Sequence, residues 1–108
     1  MARVKVSDGK SVKVVASKAY LDGDFAVEQG FHGFVIGDTA SGAPVVLNIE
    51  QAEFEFVQAG ATVGDIVYAD ATGALTLDDG AGANRPVLKV TVASDANNVA
   101  WGILLPQV

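Results

Sequence analysis

Polar and apolar residues alternate with a period of two over Glu53-Phe54-Glu55-Phe56 and over Leu88-Lys89-Val90-Thr91-Val92, which sends the two kinds of side chain to opposite faces of an extended chain. Each stretch predicts a strand with one wet face. With these two included, short β-branched runs separated by spaced glycines predict nine strands, at Ser11–Ala16, Phe25–Glu28, Gly33–Gly37, Pro44–Glu50, Glu53–Val57, Ile66–Ala69, Ala74–Leu77, Pro86–Ala93 and Val99–Leu105. No window repeats apolar residues at helical spacing behind a cap, so at most one short helix is expected. Its best place is Gln58–Val63, which contains Gly60.

Glycine in Leu21-Asp22-Gly23-Asp24, Ala71-Thr72-Gly73-Ala74 and Asp78-Asp79-Gly80 marks turns of the kind that connect hairpins. The Gly-, Ala- and Asp-rich stretch Asp78–Arg85 reads as an exposed, mobile loop. Frequent turns between short strands are the mark of an all-β fold, a compact sandwich or barrel-like domain of about eight or nine strands. At the front, Arg3-Val4-Lys5-Val6 alternates like a strand but runs into Ser7-Asp8-Gly9-Lys10. Residues 1–12 are therefore expected to form a flexible basic arm, and residues 13–108 a single β-rich domain.

A chain of 108 residues matches one domain with one core. No apolar run approaches the roughly 18 residues needed to cross a bilayer. Met1-Ala2-Arg3-Val4-Lys5 also lacks the apolar stretch of a secretory signal, so neither a membrane nor export is expected. The absence of cysteine excludes a disulfide framework, a thiolate nucleophile and a thiolate metal site.

The net charge of −6 argues against a nucleic-acid partner, which demands a clustered positive surface. That charge is divided unevenly. Residues 1–18 set Arg3, Lys5, Lys10, Lys13 and Lys18 against Asp8, a net +4, whereas residues 19–108 set Arg85 and Lys89 against twelve acids, a net −10. An end and a body of opposite sign suit two different partners, or one folding back on the other.

Residues that could carry chemistry are few. His32 is the single histidine, and beside Gly33 it reads as a surface or half-buried structural residue rather than a general base. Glu53/Glu55 and Asp22/Asp24 are spaced to share a strand face, which makes solvated faces a simpler account than a glycosidase pair. Asp22-Gly23-Asp24 and Asp78-Asp79-Gly80 offer oxygen ligands in turns, yet neither extends into a complete calcium loop. Gly80-Ala81-Gly82-Ala83-Asn84-Arg85-Pro86 leads into a strand, not into a helix that would cradle phosphate. No cofactor, metal or catalytic residue is assigned. Trp101, Tyr20 and Tyr68 are too few for a stacking platform and read as core or interface anchors.

The order of phrases then carries a resemblance. Ala19-Tyr20-Leu21-Asp22-Gly23-Asp24-Phe25-Ala26-Val27 is followed by Gly33-Phe34-Val35-Ile36-Gly37-Asp38-Thr39-Ala40-Ser41-Gly42-Ala43-Pro44-Val45-Val46-Leu47 and by Glu53-Phe54-Glu55-Phe56. Val63-Gly64-Asp65-Ile66-Val67-Tyr68-Ala69-Asp70, Gly73-Ala74-Leu75-Thr76-Leu77, Val87-Leu88-Lys89-Val90 and Val99-Ala100-Trp101-Gly102-Ile103-Leu104-Leu105 complete the set. In this order, over about Lys13 to Leu105, the chain resembles the small head decoration, or capsid cement, proteins of tailed bacteriophages.

The resemblance implies a non-enzymatic structural protein, made in the bacterial cytoplasm and carried on the outer surface of the virion. Its partner would be the major capsid protein, which it binds on the expanded shell as homotrimers at three-fold and quasi-three-fold positions. The departures are a more basic start and a more aromatic end. On the first, Arg3, Val4, Lys5 and Val6, supported by Lys10 and Lys13, are expected to face the capsid. On the second, Trp101 is expected at a subunit interface. The alternatives are a carbohydrate-binding or tail-associated adhesion module, and a small β-roll enzyme using His32.

Overall fold

The computed structural model describes residues 7–108, which form nine strands in two antiparallel sheets. In chain order they are β1 (Ser11–Val15), β2 (Phe25–Glu28), β3 (Phe31–Ile36), β4 (Pro44–Asn48), β5 (Glu53–Val57), β6 (Ile66–Ala69), β7 (Leu75–Thr76), β8 (Arg85–Val92) and β9 (Val99–Leu104). One sheet has the order β1-β4-β3-β2 and the other β5-β9-β8-β6-β7. The all-β expectation holds.

Alternation builds most of these strands. In β4, Val45 and Leu47 are fully buried while Pro44, Val46 and Asn48 turn the other way. In β5, Phe54 and Phe56 point to the core and Glu53, Glu55 and Val57 point out. The strand β3 is different, because His32, Gly33, Phe34 and Val35 are all buried in succession. Both faces of β3 are covered. Val35 packs with Val14, Val45 and Leu47 in one apolar cluster, and Phe34 joins Phe56, Val67, Leu88 and Leu104 in another. Across the two sheets the Phe34 ring stacks on Phe54 at 4.5 Å, with Phe25 edge-on at 5.5 Å.

Three local readings are corrected. Gln58–Val63 is a turn and not a helix: Gly60 adopts φ 72°, and the Ser94 hydroxyl accepts from Ala61 N–H and donates to the Gln58 carbonyl. The helical turn lies instead at Gly80–Gly82, inside the stretch read as a mobile loop. That loop ties itself together, with Asp78 accepting from Gly80 N–H, Asp79 from Ala81 N–H, and the Asn84 amide donating to the Asp78 carbonyl. Of the three turns, only Ala71–Ala74 joins paired neighbours, β6 and β7. Leu21–Asp24 leads into β2, and Asp78–Gly80 leads towards β8, which pairs with β6.

Pairing also starts earlier than the expected arm boundary, since Ser11 and Val12 lie in β1 opposite Asn48 and Leu47.

Candidate interaction surface

The outward face of the five-stranded sheet is built by β5, β9 and β8, lying side by side in that order. On β9, Ala100, Gly102 and Leu104 face the core, which leaves Val99, Trp101 and Ile103 on the outside. Pairing fixes two rows across the face. Glu53 lies opposite Ile103 and Ile103 opposite Lys89, while Glu55 lies opposite Trp101 and Trp101 opposite Val92. Trp101 is 44% exposed, and its indole N–H donates to Glu55 Oε2 at 3.2 Å.

Val92 belongs to this face because of a register shift between Val90 and Val92 in the pairing with β9. Strict alternation over Leu88–Val92 would have put Val92 inside with Leu88 and Val90. The extra residue, Thr91, reverses the facing of the chain beyond it, and Val92 emerges 44% exposed beside Trp101. The Thr91 hydroxyl donates to Glu53.

With Val57 and Val63 also exposed, five large apolar side chains lie on or beside this face: Val57, Val63, Val92, Trp101 and Ile103. A shallow cavity of about 390 Å³ next to the Glu53–Ile103–Lys89 row is lined by Val63, Lys89, Ile103 and Leu105 among others. Exposed apolar side chains flanked by charge, here Glu53, Glu55 and Lys89, give this face the composition found in surfaces that meet other macromolecules.

The other predicted site residues lie elsewhere. Lys10 and Lys13 are exposed at and just before β1, the edge strand of the four-stranded sheet. Lys18 follows them, its ammonium 5.5 Å from the centre of the Tyr20 ring. Arg3, Val4, Lys5 and Val6 fall outside the described residues. Trp101 lies on the five-stranded sheet, whereas Lys13 lies on the four-stranded one with Lys10 just before it, and they form no single site.

His32 corrects the expectation of a surface or half-buried side chain, for it is fully buried. Its Nε2 lies 2.9 Å from the Leu105 carbonyl, which requires the proton on Nε2, and its Nδ1 has no partner among the described residues. Burial holds the imidazole pKa below its ordinary 6.5 and outweighs the opposing bond to Leu105, while the Arg85 charge lowers it further. It is a neutral buried ring tying β3 to the C-terminal segment.

Of the two acidic pairs, Glu53 and Glu55 share the outward face of β5 as expected, whereas Asp22 and Asp24 lie in the turn before β2 and not on a strand face, because both bond main-chain amides there. Asp22 accepts from Gly37 N–H at 2.7 Å, and Asp24 accepts from Leu21 N–H at 2.8 Å. Among the described residues no three acidic or imidazole side chains gather as a metal site. One acid that the sequence did not single out is Glu28, whose buried carboxylate accepts from the Tyr20 hydroxyl at 2.6 Å and from the Ser17 amide and hydroxyl at 2.9 and 2.7 Å. Burial opposes its ionisation, but these bonds and the Lys18 charge prevail and lower its pKa. Nothing in its sequence surroundings, Phe25-Ala26-Val27-Glu28, separates it from an ordinary strand-end acid.

Comparison with protein-family models, with curated proteins and with solved structures finds no match to this chain. What fold and surface define is a nearly all-β, two-sheet domain with exposed apolar side chains on the outer face of its five-stranded sheet.

Proposed function

We propose that this protein is a capsid decoration module, a structural protein that binds the outer surface of an expanded bacteriophage shell and strengthens it without chemistry. One observation carries the reading: two surfaces of different character sit on different sheets. The basic edge at Lys10 and Lys13 belongs to the four-stranded sheet, and the apolar face around Trp101 to the five-stranded one. A cement protein has need of both, one surface for the shell and one for its neighbours. Many weak, repeated contacts then add up across the lattice.

In this reading the major capsid protein is the partner, met by Lys10 and Lys13 together with Arg3, Val4, Lys5 and Val6. Positive charge at this end, with net −10 over residues 19–108, favours an acidic shell exterior and keeps the decorated particle from sticking to others. The phrase order over Lys13 to Leu105 supports the same assignment and adds homotrimers at three-fold positions.

The test is co-sedimentation with expanded and unexpanded shells of the phage whose genome carries the gene. Binding to expanded shells is expected, and it should weaken at least ~10-fold when residues 2–10 are deleted, since several charged contacts are lost together. Equal binding by the truncated protein would remove the basic end from the interface. No sedimentation with either shell, coupled with a Trp101 fluorescence shift on adding oligosaccharides, would transfer the protein to the carbohydrate-binding class.

A further inference from the structure

We infer that the outward face of the five-stranded sheet is a self-complementary interface, on which a second copy of this chain docks about a two-fold axis running along β9. The ground is the order of side chains across that face. The row Glu53–Ile103–Lys89 runs acid, apolar, base over β5, β9 and β8. A two-fold axis along the middle strand exchanges the outer two, so one copy's Glu53 lies over the other's Lys89 and the reverse, with Ile103 on Ile103 between them.

The next row places Trp101 on Trp101 at the centre, flanked by Val92 and by Glu55, which already accepts the indole N–H. The middle strand is apolar in both rows, and the first row is charged at both margins. In the second the axis sets Glu55 of one copy, its carboxylate already bonded to Trp101, beside Val92 of the other. An apolar middle with an aromatic anchor and a charged rim is the pattern of a protein–protein contact. Sheet-on-sheet packing of this kind leaves about 10 Å between the layers, which the outward Trp101, Ile103, Val92 and Val57 side chains fill from both copies. A repeated or open contact is excluded by the same geometry. The face meets an identical face, so the pair closes on itself and does not propagate into a fibre.

This contact concerns free protein and stands or falls apart from any shell. Where the decoration reading also holds, adjacent three-fold positions are related by local two-fold axes, and the face would join copies across them.

Sedimentation equilibrium and native mass spectrometry of the full chain are expected to show an equilibrium between the 11.1 kDa monomer and a dimer of twice that mass. The fluorescence of the chain's single tryptophan should shift to the blue as concentration rises. Trp101→Ala is expected to weaken association by ~30-fold or more, as central aromatic anchors do. At concentrations where both are monomeric, circular dichroism should show Trp101→Ala folded like the wild type, with only a modest loss of thermal stability from the missing cross-strand packing and Glu55 bond.

Charge exchange tests the symmetry. Lys89→Glu alone and Glu53→Lys alone should each lose the dimer, by like charges meeting twice, whereas an equimolar mixture of the two variants should restore it as a heterodimer. A protein that stays monomeric at millimolar concentration overturns the inference. So does a trimer indifferent to Trp101→Ala, and so does a mixture that fails to reassociate while both variants remain folded by circular dichroism.

Discussion

The carboxamide of Gln107 clasps the main chain of His32, accepting from its N–H at 2.8 Å and donating to its carbonyl at 2.7 Å. The strand β4 pairs with β3 from Phe34 to Ile36, so at His32 the ladder on that side has ended. A side chain near the C-terminus does the work of the missing strand residue. Together with the bond from the His32 ring to Leu105, it ties the C-terminal segment to the middle of the four-stranded sheet.

Gln107→Ala removes both bonds and leaves two main-chain groups of a buried residue without partners. The expected loss is about 2 kcal/mol in denaturant unfolding, with faster amide exchange at His32. A loss below roughly 0.5 kcal/mol would show that water replaces the clasp at no cost.

Because His32 is buried and neutral, it binds a proton more readily in the unfolded chain than in the folded one. Stability should therefore fall as pH drops below the ordinary histidine value of 6.5, with a slope of at most about 1.4 kcal/mol per pH unit for one proton. His32→Gln should flatten the stability profile in that window. Urea titrations between pH 5 and pH 8 measure it, and an unchanged slope in the variant would assign the acid sensitivity to other groups.

Glu28 acts in a lower window. Its carboxyl pKa lies below the ordinary 4.5 in the folded protein, so its contribution is complete above that value and is lost as pH falls through the folded one. Glu28→Gln is expected to cost about 1.5–3 kcal/mol at neutral pH, as hydrogen bonds to a charged acceptor do, and to reduce the acid dependence below pH 4.5. Tyr20→Phe should cost less, because Ser17 keeps two of the three bonds to the carboxylate.

Gly33 and Gly102 are required by close approach and not by turn geometry. A Cβ at Gly33 would collide with the Asn48 carbonyl oxygen of the neighbouring β4, and one at Gly102 would lie 2.8 Å from the Lys89 carbonyl oxygen of β8. Neither backbone can withdraw without opening its ladder. Gly33→Ala and Gly102→Ala should each destabilise by about 2 kcal/mol or more, whereas Gly37→Ala, with open space around it but φ 86°, should cost about 1 kcal/mol. Thermal melts of the three variants give the order directly.

Strand positions were legible because period-two burial is a local property: the alternation in Glu53–Val57 and the β-branched runs recover most of the nine strands to within a residue or two. The outward placement of Glu53 and Glu55 follows from that alternation, and the charge division between residues 1–18 and 19–108 is a matter of counting.

Local pattern does not say which strands meet. That β1 pairs with β4 and β5 with β9 was decided by how the apolar faces close over two clusters. Burial of both faces of β3, and with it of His32, follows from that closure. The same holds for Glu28, which becomes a buried acceptor once Ser17 and Tyr20 are folded onto it.

The face around Trp101 shows the division most plainly. Sequence placed an aromatic residue in β9 and acids in β5, but a bulge at Thr91 turned Val92 outward and pairing aligned Glu53, Ile103 and Lys89 in one row. Alternation sets which side of its own strand a residue takes. Register between strands far apart in the chain sets its neighbours, and only the folded sheet fixes that register.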